Sequence, residues 1–182
     1  MTDDYFFDAM RERSLSAAFT AADLCCAGET WRRIRIVNEP CQQESWAALA
    51  ALCELILEPV LARFGRPDIT YGFTSPQLIR EIPAHSAPRL DQHASYEINS
   101  RGKRICERGG AAVDIAIADV PSDRLAIWIA ENLPFDRIYF YGADRPLHVS
   151  HGPDTTGQIV RMTPQLSGRR VPSVIPLKRL KA

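Results

Sequence analysis

Asp114 is the residue that most demands an explanation. It stands inside Ala111-Ala112-Val113-Asp114-Ile115-Ala116-Ile117-Ala118, a run of small and β-branched residues that reads as a buried strand. An ionised carboxylate there is costly unless it is paired, hydrogen-bonded or bound to a metal. The plainer alternative is an Asp that faces solvent at a strand end or caps a neighbouring loop. A metal would need nitrogen partners, and the chain has four histidines, His85, His93, His148 and His151. His148 lies in Leu147-His148-Val149-Ser150, a second strand able to sit beside Asp114. Period-two alternation puts Leu147 and Val149 on one face of it and His148 on the other. Catalytic zinc sites take three protein ligands from His, Asp and Glu and leave a fourth position to water. The five cysteines, Cys25, Cys26, Cys41, Cys53 and Cys106, are odd in number and form no C-x-x-C pair. They read as reduced thiols, mostly small core residues.

Short elements must position these residues. The surest is a helix over about 43–64, where Trp46, Leu49, Leu52, Cys53, Ile56, Val60, Leu61 and Phe64 recur at helical spacing. Gly65 is placed to cap it, and Pro59 should kink or divide it. Ile69 to Phe73 reads as a strand, and Ser75-Pro76 as the N-cap and first residue of a short helix to Ile82. Residues 89–109 are polar and basic, an excursion over the surface, and His85 sits in a loop between Pro83 and Pro88. Ser122 caps a helix carrying Leu125, Trp128 and Ile129. Residues 137–141 and 147–150 form a hairpin through Gly142-Ala143-Asp144, and Gln158 to Met162 adds a strand. Nearer the N-terminus, Ser14 to Phe19 suggests a short helix, Arg32 to Val37 an extended segment, and Asn38-Glu39-Pro40 a turn. Helices early and strands late make an α+β domain with an antiparallel sheet and N-terminal helices.

Composition bounds the function. The 182 residues suit one domain: an N-terminal extension over 1–17, a metal-binding domain over 18–162 and a basic, proline-containing tail over 163–182. Apolar residues make up 46% and charged residues 24%, which excludes a disordered chain. Twenty-two basic side chains balance twenty-two acidic ones, so no global field draws nucleic acid or an anionic membrane. After Asp154 there are six basic residues and no acid, which reads as a solvated tail rather than a nucleic-acid arm. No apolar run approaches the roughly 18–20 residues of a membrane span. The first residues are acidic where a signal peptide would be basic and then apolar, so the expected compartment is the cytosol.

The motifs in their order resemble the zinc D-Ala-D-Ala carboxypeptidases, a group that includes phage endolysin-like peptidases and the Hedgehog-type fold. Gly110-Ala111-Ala112-Val113-Asp114 matches the end of the family's Ser-x-His-x-x-Gly-x-Ala-x-Asp block, and Leu147-His148-Val149-Ser150 matches its closing strand. Asn38-Glu39-Pro40, the long helix and Ile69 to Ser75 echo the upstream order, so the likeness covers roughly residues 18–162. It implies bound Zn2+, hydrolysis of an amide in a peptidoglycan-like peptide, and a third ligand beside Asp114 and His148. The family spacing puts that ligand at Glu107; if residues 94–107 are an insertion, Asp91-Gln92-His93 stands for Ser-x-His and His93 is the ligand. His93 is favoured, because imidazole is the better zinc ligand. Two positions depart from the pattern: Thr74 stands where the family has a substrate-holding arginine, and Arg145 where many members place the catalytic base. Candidate bases are His151, Glu97 and Asp144. A rival reading from another class is a non-catalytic binding or assembly domain that keeps the fold.

Overall fold

The computed structural model describes residues 3–82, 91–165 and 168–181. Alternation governs its sheet. In β2 (Ala111–Ala116) and β4 (Leu147–His151), Ala111, Val113, Ile115, Leu147 and Val149 belong to the hydrophobic core, which turns Asp114 and His148 to the opposite face. With β1 (Asp68–Tyr71), β3 (Arg137–Phe140), β5 (Gln158–Pro164) and β6 (Arg170–Ile175), they form one six-stranded sheet in the order β1-β2-β4-β3-β5-β6. All neighbouring strands are antiparallel except β3 and β5, which run parallel. The domain is α+β with a mostly antiparallel sheet, and the expected β3–β4 hairpin is present.

Register, more than strand order, builds the site. Asp114 pairs with His148, His148 with Tyr139, and Tyr71 with Asp114 across an irregularity in β1. Residues paired directly across strands share a face. Tyr71, Asp114, His148 and Tyr139 therefore form a row across four strands, on the face away from the core.

Behind that row lies the long helix Gln43–Phe64, made of α4 (Gln43–Leu52), a π-helical turn (Cys53–Leu57) and α5 (Glu58–Phe64). Pro59 has no N–H to continue the i→i−4 ladder, and the π turn accommodates it. The helix is divided in hydrogen-bond register rather than ended. By length and apolar composition alone it could cross a membrane, contrary to the expectation that no stretch of the chain approaches a span. Its Leu49, Leu52, Cys53, Ile56 and Leu57 are buried in the core instead. Here α4 packs on β2 and β4, while α7 (Ser122–Asn132) packs on β3 and β4.

Several local expectations change. The N-terminal extension contains α1 (Asp3–Glu12), whose Phe6 and Met10 join the core. Residues 14–19 form no helix; a bridge between Ser14 and Thr20 leads into α2 (Ala21–Cys25), where Thr20 and Asp23 make a capping box. The segment expected to be extended begins as α3 (Glu29–Ile34), because Trp31 and Ile34 share a helical face while Arg32, Arg33 and Arg35 are exposed. The basic tail is not free either: β6 pairs with β5 from Ile159–Ile175 to Pro164–Arg170, and Ile175 and Leu180 enter the core. Pro172 is tolerated because β6 lies at the sheet edge. Between β1 and β2, a short helix α6 (Pro76–Glu81) is capped by Ser75, whose hydroxyl oxygen accepts from the Leu78 N–H.

Candidate metal centre

His93 joins the row from a loop. It sits in a 3-10 turn, Gln92–Ala94, whose N-cap is Asp91; Asp91 Oδ1 accepts from the His93 N–H at 2.9 Å. Gln92 fastens the turn by donating to the Gly109 carbonyl at 2.7 Å and to Asp136 Oδ2 at 2.8 Å. Asp136 is itself held by the Thr156 N–H at 3.1 Å and the Thr156 hydroxyl at 2.7 Å. Burial raises the Asp136 carboxyl, but these donors outweigh it and leave the group below its ordinary value. The polar segment 91–109 is therefore anchored at both ends. Gln92 to Ser95, Glu97, Cys106 and Gly109 are buried, and the exposed residues are Glu107 and the stretch 98–104, which an Ile98–Arg104 bridge closes.

Asp114 Oδ1 lies 3.2 Å from His93 Nε2 and 2.9 Å from His148 Nδ1. On its other side, the His93 ring meets the Gly72 carbonyl through Nδ1 at 2.8 Å. A carbonyl only accepts, so Nδ1 carries the proton and the neutral ring turns the Nε2 lone pair toward the Asp114 carboxylate. Two acceptors facing each other require a proton or a cation between them. Without metal the proton serves: burial pushes the His93 imidazolium down, but the Asp91 and Asp114 carboxylates lift it further, to about 9. Burial likewise raises Asp114, and the two imidazoles more than reverse it, holding the carboxyl well below the usual range.

The donor set also suits a metal. Atoms bound to a tetrahedral zinc at roughly 2.0–2.1 Å stand about 3.3 Å apart, close to the spacings around Asp114 Oδ1. The Gly72 carbonyl fixes the His93 ring as an outer partner of a metal ligand does. His148 Nε2 is buried without a hydrogen-bond partner. Tyr71 stands edge-on to His93 with centroids 4.5 Å apart, and Tyr139 lies 4.8 Å from His148, so the row's two tyrosines wall the imidazoles. Asp91, His93 and His148 offer ligand atoms that all lie within 4.8 Å of one another, a group able to hold a metal ion.

His93, Asp114 and His148, expected from the sequence, are thus brought together. Glu107, the alternative ligand, is exposed beside Asn99, Lys103 and Arg104. The base candidates lie apart. Glu97 is buried, and its Oε1 accepts from the Cys41 N–H at 3.0 Å, the Gln42 N–H at 3.2 Å and the Ser45 hydroxyl at 2.9 Å, tying the start of α4. Asp144 is exposed in the β3–β4 turn. His151 ends β4 with Nδ1 at 2.7 Å from the Pro134 carbonyl, three residues beyond His148 and on the other face. No hydrogen bond or ion pair among the described residues joins any of the three to the cluster. Asp91 is the residue that sequence reasoning missed; its signal is the capping pattern Asp-x-His, which also matches Ser-x-His. His85 lies outside the described residues.

All five cysteines are free and four are buried, with Cys41 exposed. Burial pushes the Cys26 thiol up to about 12.

No family model matches this chain, and no curated protein or solved structure matches it.

Proposed function

We propose that the chain is a zinc-dependent hydrolase of the D-Ala-D-Ala carboxypeptidase type, with the Hedgehog-type fold, that cleaves an amide bond in a peptidoglycan-like peptide. The ligands are His93, Asp114 and His148. The observation that carries this reading is the convergence of His93 Nε2, at 3.2 Å, and His148 Nδ1, at 2.9 Å, on Asp114 Oδ1. When bound, zinc supplies Lewis acidity toward the scissile carbonyl and lowers the pKa of a water to about 7. The residues of the chain do the rest. The Gly72 carbonyl holds the His93 tautomer, and Asp114 supplies the negative charge that a dication requires. Tyr71 stays a neutral phenol, because burial pushes it above its ordinary range despite the Thr74 hydroxyl that donates to it at 2.7 Å.

A binding or assembly domain that keeps the fold and the metal is the second reading. It is favoured by Thr74 and Arg145 at the family's substrate and base positions, and by the separation of Glu97, Asp144 and His151 from the cluster. One experiment orders the two. Elemental analysis of the untagged protein should find near-stoichiometric zinc, lost in Asp114→Ala and His148→Ala. The zinc-loaded protein is then given stem peptides ending in D-Ala-D-Ala and assayed for released D-Ala. Release supports the hydrolase; zinc without release over a range of stem peptides supports the binding domain; no zinc in any sample removes the metal reading.

A further inference from the structure

We infer that Asp91 is a fourth donor of this centre, an anionic oxygen set where a hydrolytic zinc site leaves room for water. The inference rests on the metal reading above and adds to it a residue that the likeness to the carboxypeptidases does not provide.

Asp91 is placed and not merely nearby. Its Oδ1 is pinned by the His93 N–H at 2.9 Å and stands 3.8 Å from His93 Nε2, the ring atom that faces Asp114. Its ligand atom shares one group, no more than 4.8 Å across, with those of His93 and His148. His148 meets Asp114 Oδ1 through Nδ1 at 2.9 Å, and its Nε2 is buried without a hydrogen-bond partner. The side chain of Asp91 is 30% exposed and that of Asp114 28%, whereas His93 is buried, so both carboxylates reach solvent at the edge of the cluster.

The rival explanation is that Asp91 only caps the 3-10 turn. Ser, Thr or Asn caps as well. What a cap does not explain is the approach of the same carboxylate to the far end of the ring, 3.8 Å from His93 Nε2, the atom that faces Asp114. Two imidazoles and two carboxylates would balance a dication and give the harder, oxygen-rich set that also suits manganese or cobalt. For hydrolysis, Asp91 must then yield its position to water or admit water as a fifth donor. The chain would therefore carry its own occupant of the reactive corner.

The test uses the full-length protein with zinc and cobalt as probes. Asp91→Asn and Asp91→Ser both preserve the cap and remove the anionic donor, and far-UV circular dichroism checks that each is folded. Zinc affinity is read by competition with a chromophoric chelator, and donor number from the visible spectrum of the cobalt-loaded protein. If Asp91 is a ligand, both variants bind zinc at least about 10-fold more weakly than wild type and shift the cobalt bands. Should both variants bind within about 3-fold of wild type with unchanged cobalt bands, Asp91 is a cap and the inference is wrong, while the zinc reading stands. Wild type that binds neither metal overturns both together.

Discussion

Gly72 controls the site without reaching it. Its carbonyl sets the His93 tautomer, and a Cβ at this position would stand 2.2 Å from the Leu24 carbonyl oxygen. That oxygen already accepts from the Phe73 N–H, so it has little freedom to withdraw. Gly72→Ala should displace the carbonyl and weaken zinc binding by about 10- to 100-fold, the usual cost of losing an outer partner of a ligand. Chelator competition beside a melting curve checks this; unchanged affinity in a folded variant would remove Gly72 from the site. Glu97 gives the opposite test. Glu97→Ala leaves the Cys41 and Gln42 N–H groups and the Ser45 hydroxyl without their acceptor. It should cost about 2–4 kcal/mol in urea unfolding and leave zinc stoichiometry unchanged. Lost zinc with retained stability would restore Glu97 to the metal site.

Among the elements, legibility followed periodicity. Asp114 and His148 were readable because alternation fixes the faces of β2 and β4, and a single register then sets the pair opposite each other. His93 was readable only through the likeness to a family pattern, since a 3-10 turn after a polar loop has no hydrophobic period of its own. Asp91 was hidden for the same reason: capping is local, whereas its nearness to His148 depends on tertiary folding. The Arg-Ile alternation at 32–36 imitated a strand, and only the burial of Trp31 decides for helix. β6 was missed because an edge strand with exposed Val171 and Val174 lacks the alternation of a half-buried one. A truncation after residue 169 would uncover β5 and leave Ile159 without Ile175. The shortened protein should melt earlier and self-associate through the bared strand, as size-exclusion chromatography would show. A monomer of unchanged melting temperature would return this segment to the status of a tail.

For the molecule as a whole, Asp136 joins parts distant in sequence: the Gln92 turn, the start of β3 and the loop at Thr156. Its carboxyl is depressed in the fold, so the stability it adds is complete above its unfolded pKa of about 3.9 and is lost as pH falls through the folded value. Urea midpoints of the metal-free protein, taken from pH 6 down to about pH 3, should fall more steeply for wild type than for Asp136→Asn. Parallel curves would show that Asp136 has no part in acid sensitivity.

The site draws its donors from separate stretches of chain: His93 and Asp114 are 21 residues apart, and Asp114 and His148 are 34 apart. An ion held by all three closes two loops at once, and closure of this kind stabilises a fold mainly by restricting the unfolded chain. At a free metal concentration about 1,000 times its dissociation constant, a site present only in the native state adds about 4 kcal/mol. Bound metal would then act as a removable crosslink in a chain whose cysteines form none. A chelator would affect this protein as a reductant affects one stapled by disulfides.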